Sequence, residues 1–268
     1  MVLAIFENFL PFIGGFIIFL IILYVLLFFI LKRIATPKLF PEVPADYTTE
    51  DPDIELLTLK DGTRIATLDA IQPGTNWCIL FSHGNAQDLN QCRPIIKRFK
   101  ELGYSAFAYD YPGYGLSEGV ASEKNFFRAA KEVYQYLIEE KGFQENQIVL
   151  YGYSIGSGPT SELAKTTNAA AAIIEGGFTS PFRIYTRYGL LPGDFFHNIR
   201  KIRRIKKPLL VLHGTKDPTV PYSHGLRLFK KAKHPKQMET FLGGKHGNLF
   251  SDFENSYNKK LTEFIENL

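Results

Sequence analysis

Cysteine is scarce in this sequence, and its spacing does not suggest a metal site. The 268 residues include only two cysteines, Cys78 in a strand-like run and Cys92 in a helix-like run. No CxxC pair or Cys/His cluster has metal-ligand spacing, so no bound metal is expected. Free buried thiols would agree with a reducing compartment, and a disulfide between the two cysteines stays open as the alternative.

A strong excess of one charge sign is also missing. The formal net charge is only +4, and the sequence has no repeat, no low-complexity tract and no nucleic-acid-binding motif. We therefore expect no nucleic-acid partner. The densest basic stretch, residues 200–207, could contact phosphates or anionic lipid headgroups. We favour the interpretation that it is a solvated helix face leading into a strand.

Charge is absent from one long segment near the N-terminus. Residues 9–31 form an uncharged run of 23 residues rich in Ile, Leu and Phe. At about 1.5 Å per residue, such a helix spans about 34 Å, enough to cross a bilayer core. A cleaved signal peptide fits poorly, because Glu7 precedes the run and no small-residue cleavage site follows it. A buried core helix is the other alternative. We predict a transmembrane anchor over residues 1–33.

Basic residues follow this run on its C-terminal side. Lys32, Arg33 and Lys38 predict, by the positive-inside tendency, that the N-terminus lies outside and the large domain lies in the cytoplasm. Residues 34–53 contain four prolines and no long apolar period, which is typical of a juxtamembrane linker. The remaining residues 54–268 are enough for one sizeable domain with its own core.

The pattern of that domain predicts an α/β fold class. Strand-like runs occupy 54–59, 64–70, 77–82, 105–110, 147–151, 170–175, 208–213 and 237–242. Helical patterns separate most of them, including an amphipathic run over 122–141 that Ser122 can cap. This alternation predicts a mostly parallel sheet covered on both faces. Its ligand-binding edge would carry the strand ends at Ser82, Asp110, Gly152, Glu175 and His213.

Ser154 is the strongest candidate for a catalytic group. It lies at the centre of Gly152-Tyr153-Ser154-Ile155-Gly156, between a predicted strand and a predicted helix. A strand–GxSxG–helix sequence favours a sharp turn that presents the serine hydroxyl at the sheet edge. A glycine-rich turn without chemistry is the alternative reading of the pentapeptide, so its context must decide.

A nucleophilic serine needs a base and an orienting carboxylate. Asp217 follows the predicted strand 208–213 by four residues, and Glu175 at another strand end is the alternative acid. His246 lies in a glycine-flanked loop after the last predicted strand and is the candidate base. His83 and His213 end strands and could be structural, whereas His197, His224 and His234 have less fitting positions. A turn-forming aspartate and a surface histidine are the structural alternatives.

The developing oxyanion needs N–H donors. We expect one from Ile155, the residue after the candidate nucleophile, and one from Asn85, with Ala86 close behind as a donor and pocket residue. Tyr111 and Tyr114, in the glycine-containing loop 110–117, are predicted to wall the substrate pocket.

The motifs in 83–86, 110–115, 152–156 and 213–217, with His246, resemble the α/β-hydrolase family over about residues 54–268. Within it, the chain resembles membrane-associated serine hydrolases that include acyl-protein depalmitoylases and lysophospholipid and monoacylglycerol lipases. The resemblance implies an eight-stranded, mostly parallel sheet flanked by helices, a Ser154–Asp217–His246 triad, no cofactor and a short cap at about 176–207. The depalmitoylases carry an N-terminal cysteine cluster, whereas this chain has an apolar run.

The expected function is a single-pass, membrane-anchored serine hydrolase that cleaves carboxylic ester or thioester bonds of an acyl-bearing small molecule, lipid or acylated protein. Amide or peptide hydrolysis by the same triad is the first alternative. A catalytically silent, membrane-tethered binding module is the second.

Aromatic residues could line an acyl groove or pack the cap on the body; these are Phe178, Phe182, Tyr185, Tyr188, Phe195 and Phe196.

Overall fold

A computed structural model describes residues 2–186, 191–233 and 235–268, with side chains from Phe12 onward. Tyr188 and His234, which the sequence singled out, lie outside the described residues. Both cysteines are free and buried, as the sequence favoured.

The N-terminal run forms one long helix, α1, from Val2 to Leu39. Its segment Phe12–Leu39 is long and apolar enough to cross a membrane, with a hydropathy of 3.1 and no burial in its most apolar window. The helix continues six residues past the predicted end of the anchor at residue 33, so it extends into the segment predicted as a linker. The rest of that segment packs on the following domain, where Val43 pairs with Tyr114.

Eight strands form one sheet within the described residues. They are β1 Ile54–Thr58, β2 Arg64–Ala70, β3 Cys78–Ser82, β4 Ser105–Tyr109, β5 Ile148–Tyr153, β6 Ala171–Glu175, β7 Leu209–Gly214 and β8 Lys236–Phe241. The spatial order is β1-β2-β4-β3-β5-β6-β7-β8. Only the β1–β2 and β2–β4 pairs are antiparallel. The predicted mostly parallel, eight-stranded sheet is therefore confirmed.

Helices cover both faces of the sheet. They are α2 Leu89–Glu101, α3 Glu123–Glu139, α4 Ser157–Thr166, α5 Phe182–Tyr185, α6 Asn198–Ile202, α7 Ser223–Lys231, α8 Leu249–Asp252 and α9 Glu254–Glu266. Apolar residues of α2 and α9 pack on one face, and those of α3, α4, α6 and α7 pack on the other. Ser122 caps α3 by accepting a hydrogen bond from the Asn125 N–H, as its sequence position predicts.

The basic stretch 200–207 is only partly a solvated face. Arg203 and Arg204 are exposed, but Lys201 is buried. The Lys201 ammonium lies 3.8 Å from the centre of the Phe127 ring and 3.6 Å from a Glu162 carboxylate oxygen. The interpretation as a solvated face is therefore wrong for Lys201, whose partners come from α3 and α4 and cannot be seen in the local pattern.

The cap segment after β6 contains the two short helices α5 and α6 among its described residues. Because β6 and β7 are parallel neighbours, this connection crosses from the carboxyl end of one strand to the start of the next. It therefore begins at the sheet edge where the candidate catalytic loops also lie.

Candidate active site

The turn after β5 presents Ser154 in a strained conformation. Ser154 has φ +53°, a left-handed value that is unusual for serine. A short 3₁₀ turn over Ser154–Gly156 leads directly into α4. The flanking glycines are required by space. A Cβ at Gly152 would lie 2.5 Å from the Gly156 carbonyl oxygen, and one at Gly156 would lie 1.9 Å from that of Ser82.

Three side chains from separate loops form a hydrogen-bonded chain at this edge. His246 Nε2 lies 2.9 Å from Ser154 Oγ, and His246 Nδ1 lies 2.7 Å from Asp217 Oδ2. A carboxylate can only accept, so Nδ1–H donates to Asp217 and leaves Nε2 to accept from the serine hydroxyl. The three residues predicted as the triad are therefore within bonding reach, in the tautomer that a general base requires.

Asp217 is held in place by its own loop. Its Oδ1 accepts from the backbone N–H groups of Thr219 and Val220, each at 2.8 Å. Only 1% of its side chain is exposed. Burial alone would raise the pKa of this carboxyl group. The hydrogen bond from His246, the electrostatic interaction with that ring and the two N–H donors outweigh burial and lower the pKa below its usual value. The carboxylate is therefore ionised and oriented toward the imidazole.

The His246 ring also has neighbours that the sequence reasoning missed. Gly176, at φ +55°, lies so close that a Cβ there would meet the ring at 3.0 Å. The Tyr153 ring lies 5.1 Å from the imidazole, measured between centroids. Adjacency to Ser154 and to the β6 end was the only sequence signal for these two residues. They leave little freedom for the imidazole to rotate.

Glu175, the alternative acid, has other partners. Its carboxylate is buried and accepts hydrogen bonds from the hydroxyls of Tyr151 and Tyr257. Burial raises its pKa. His213 donates from Nε2 to the Val220 carbonyl at 2.8 Å and supports the Asp217 loop. Neither side chain takes the place of Asp217 in the contact with His246.

A cavity of about 170 Å³ opens beside Ser154. Its lining residues are Ala35, Lys38, Leu39, Asn85, Ser154, Ile155, Phe178, Pro181, Phe182, Ile184, Tyr185, Thr219 and Val220. The predicted site residues Asn85, Ile155 and Phe178 thus meet Ser154 at one surface. Three further residues of the predicted site lie elsewhere: Ala86 is exposed outside the lining, and Tyr111 and Tyr114 are fully buried behind it.

The two tyrosines lie inward because their hydroxyls hydrogen-bond to the loop that follows β3. Tyr111 donates to the His83 carbonyl at 2.7 Å, and Tyr114 donates to Asn85 Oδ1 at 2.7 Å. The Asn85 amide in turn donates to the Lys38 carbonyl at 3.0 Å. The Asn85 side chain is therefore used as a brace. Its backbone N–H is the group that the sequence predicted as a donor to the substrate.

The comparisons with known proteins agree with this architecture. A family model described as "Serine aminopeptidase, S33" matches residues 74–183. The human alpha/beta hydrolase domain-containing protein 17B is 33% identical over 213 residues, which are 76% of this chain and 72% of that protein. The chain belongs to the α/β-hydrolase family. The mouse alpha/beta hydrolase domain-containing protein 17C is 35% identical over 197 residues, 72% of this chain and 61% of that protein.

Solved α/β-hydrolase structures share the fold. The Pyrococcus furiosus esterase Pf2001 superposes with a TM-score of 0.68 at 18% identity, covering 85% of this chain and 95% of its own. An esterase from Exiguobacterium antarcticum gives a TM-score of 0.63 at 18% identity, covering 79% of this chain and 98% of its own. The predicted resemblance and fold class are confirmed, and this α/β-hydrolase is an enzyme of the hydrolase class. Among the described residues, no group of three or more His, Cys, Asp or Glu could hold a metal.

Proposed function

We propose that this α/β-hydrolase is a membrane-anchored serine hydrolase that cleaves carboxylic ester or thioester bonds of acyl lipids or acylated proteins. The observation that carries the proposal is the continuous hydrogen-bonded chain Ser154–His246–Asp217, which opens onto a largely apolar cavity. An apolar wall beside a nucleophile suits an acyl chain, because burial of apolar surface is the main source of its binding energy.

In the proposed reaction, Ser154 Oγ attacks the acyl carbonyl carbon while His246 Nε2 takes the hydroxyl proton. The resulting oxyanion accepts hydrogen bonds from the backbone N–H groups of Ile155 and Asn85. The intermediate collapses to an acyl-enzyme as His246 gives its proton to the leaving alcohol or thiol. Water, activated by His246, then attacks the acyl-enzyme, which releases the carboxylic acid and restores Ser154. The buried Asp217 carboxylate stabilises the imidazolium that forms in each half of the reaction.

The proposed membrane anchor is α1. Support comes from its exposed, apolar segment Phe12–Leu39 and from the basic residues Lys32, Arg33 and Lys38, which follow the uncharged run. These charges favour a cytoplasmic catalytic domain. Protease treatment of sealed vesicles of known orientation tests this topology. The domain is expected to be digested in vesicles whose cytoplasmic side faces outward and protected in vesicles of the opposite orientation. Protection in the vesicles whose cytoplasmic side faces outward would contradict the proposed topology.

Fluorophosphonate labelling tests the catalytic assignment. The wild type is expected to label covalently and Ser154→Ala to lose the label. Hydrolysis of a p-nitrophenyl ester should fall by about 10⁴-fold or more in the variant, since catalytic serines contribute at this scale. Ser256→Ala, on an exposed position of α9, is the matched control and should label like the wild type. Equal labelling of the wild type and Ser154→Ala would refute the assignment.

Amide hydrolysis is a second candidate, favoured by the description of the matching family model as a serine aminopeptidase. An aminopeptidase must bind a cationic amino terminus close to its nucleophile, which calls for an acidic or carbonyl-rich pocket. Among the described residues that line the cavity, none is acidic and Lys38 is the charged one. This composition favours esters and thioesters. Competitive turnover of matched ester, thioester and aminoacyl amide substrates decides between the two, and preference for the amide would overturn the first candidate.

A further inference from the structure

The end of helix α1 contributes to the cavity beside Ser154. Ala35, Lys38 and Leu39 line it together with residues of the catalytic domain. The Lys38 carbonyl also accepts the hydrogen bond from the Asn85 side chain, 47 residues further along the chain. The helix that would anchor the protein is therefore part of the surface that faces the candidate nucleophile.

This part of α1 is docked firmly on the domain. Leu27, Phe28, Leu31, Ala35 and Leu39 are partly buried, whereas most of their neighbours are exposed. The spacing of three and four residues places them on one face of the helix.

Aromatic contacts fix both ends of that face. The Phe28 ring lies against Gly193 of the cap, where a Cβ would be 3.2 Å away. Beyond the helix end, the Phe40 ring packs edge-on against Phe126 at 5.4 Å and Phe195 at 5.6 Å between centroids. The helix is thus held by the cap on one side and by the body of the domain on the other.

With α1 as the proposed anchor, the cavity would lie at the membrane surface. The uncharged run ends at Leu31, and Ala35 and Leu39 follow it by one and two helical turns. At about 1.5 Å per residue, they lie about 6 and 12 Å beyond the apolar run, at the depth of lipid headgroups. A cavity of about 170 Å³ is also small beside the 300–1,000 Å³ of pockets that bury a drug-sized ligand. A long acyl chain must therefore extend out of it.

We propose that the last two turns of α1 form a wall of the acyl-binding site, so that Ala35 and Leu39 are specificity-determining residues. A substrate of the preferred class is a bilayer-resident ester or thioester with a long acyl chain. Its carbonyl end lies at Ser154, and its chain leaves the cavity along the seam between α1 and the cap, toward the bilayer. This inference rests on the proposed function, because it assigns the substrate of the same site.

The test uses the full-length protein in phosphatidylcholine vesicles with p-nitrophenyl palmitate and p-nitrophenyl acetate. Ala35→Trp places a large ring in the cavity at this wall. It is expected to lower the palmitate-to-acetate ratio of kcat/KM by about tenfold or more, equivalent to about 1.4 kcal/mol. Thr36→Trp places the same ring on the exposed face one residue away, and its ratio should stay within about twofold of the wild type. Leu39→Ala widens the cavity. It should raise kcat/KM for a bulkier branched acyl ester relative to kcat/KM for the acetate.

If Ala35→Trp left the palmitate-to-acetate ratio unchanged, or if Thr36→Trp lowered it equally, α1 would not form a wall of the acyl-binding site. A readout without turnover separates this from failure of the proposed function. In Ser154→Ala, a palmitoyl ester with a diazirine in the part of the chain next to the carbonyl is expected to crosslink to residues 34–39 or to the facing cap. Crosslinks confined to other surfaces would also overturn the wall. Absence of fluorophosphonate labelling in the wild type would instead refute the proposed chemistry, whatever the crosslinks show.

Discussion

Of the two glycines that flank Ser154, Gly156 leaves less room for a side chain. Its φ of −58° suits any residue, so the backbone conformation itself would tolerate alanine. The added Cβ would nevertheless lie 1.9 Å from the backbone oxygen of Ser82, on the neighbouring strand. Only movement of the turn away from the sheet can relieve this clash.

Gly156→Ala is therefore expected to destabilise the protein by about 3 kcal/mol and to lower activity by displacing Ser154. Chemical denaturation in detergent, followed by tryptophan fluorescence, measures the loss. Gly103→Ala is the control: its φ is +86°, but no atom lies within 4 Å of the added Cβ. It should cost only the conformational strain, about 1 kcal/mol. Equal losses in the two variants would show that the contact with Ser82 does not constrain the turn.

His224 gives the fold a specific sensitivity to acid. Burial lowers the pKa of this imidazole to about 4. Its Nδ1 accepts from the Thr179 N–H and its Nε2 donates to the Arg183 carbonyl, each at 3.1 Å, so the neutral ring joins α7 to the start of the cap. Protonation would remove the acceptor and place a cation near Arg183 and Arg227.

The sign of the pH effect follows from proton linkage. Below the ordinary pKa of 6.5 the unfolded chain takes up a proton that the folded chain refuses until about pH 4, so stability falls as the pH drops through this window. His224→Asn keeps a neutral acceptor. It should reduce the slope of the unfolding free energy against pH by up to about 1.4 kcal/mol per pH unit, the contribution of one proton. Melting temperatures between pH 4.5 and 7.5 measure it. Other groups, among them Glu175, titrate in both proteins, so the difference between them isolates His224; parallel curves would contradict its role.

At the scale of elements, the sequence predicted the order and type of the strands and helices well. Buried parallel strands appear as short apolar runs, and amphipathic helices between them carry the 3.6-residue period. Because strand ends in such a sheet share one edge, the loops of Asp217 and His246 could be assigned to the same site as Ser154. The proximity of Ser154, Asp217 and His246 could therefore be predicted from local patterns and topology.

The cavity wall could not be predicted from the sequence in the same way. Helix α1 is apolar on every side along its uncharged run, so no period marks the face that docks on the cap. Tyr111 and Tyr114 were predicted to line the pocket because their loop lies at the right edge. They turn inward because of partners that are distant in sequence, such as His83 and Asn85. Long-range hydrogen bonds of this kind leave no local signal.

Asp194 joins two described parts of the cap. Its Oδ1 accepts from the backbone N–H of Phe182 at 3.0 Å and of Phe195 at 2.9 Å, thereby joining two parts of the cap. Asp194→Ala removes the acceptor and leaves both donors unpaired, at a cost of about 1–3 kcal/mol each where buried. Since Phe182 lines the cavity, kcat/KM for a long-chain ester should fall by about tenfold.

Hydrogen exchange distinguishes a local effect from general unfolding. In Asp194→Ala, amides over residues 182–186 and 195–199 should exchange faster while those of the central strands stay protected. Asp194→Asn retains a carbonyl oxygen at the same position and should behave almost as the wild type. Faster exchange throughout the sheet would show that Asp194 supports the whole domain and not the cap alone.

For the whole molecule, α1 has two parts with different roles. The segment from Phe12 to Leu26 is largely exposed, whereas one face of residues 27–39, with Phe40 just beyond the helix, packs on the domain. Phe40 alone contacts three aromatic rings, those of Phe126, Phe195 and Phe196. The boundary that matters for stability therefore lies at the start of the docked turns and not at the end of the helix.

Two truncations test this division. Deletion of residues 2–26 should release the protein from vesicles in a flotation assay, yet leave its melting temperature nearly unchanged, because the docked turns keep their tertiary contacts. Deletion of residues 2–40 removes Phe40 as well, and burial losses of this kind cost about 3–5 kcal/mol. That variant should melt several degrees lower and lose long-chain ester hydrolysis more than short-chain hydrolysis. If the two truncated proteins melted together, α1 would be a tether alone, and the domain would be complete without it.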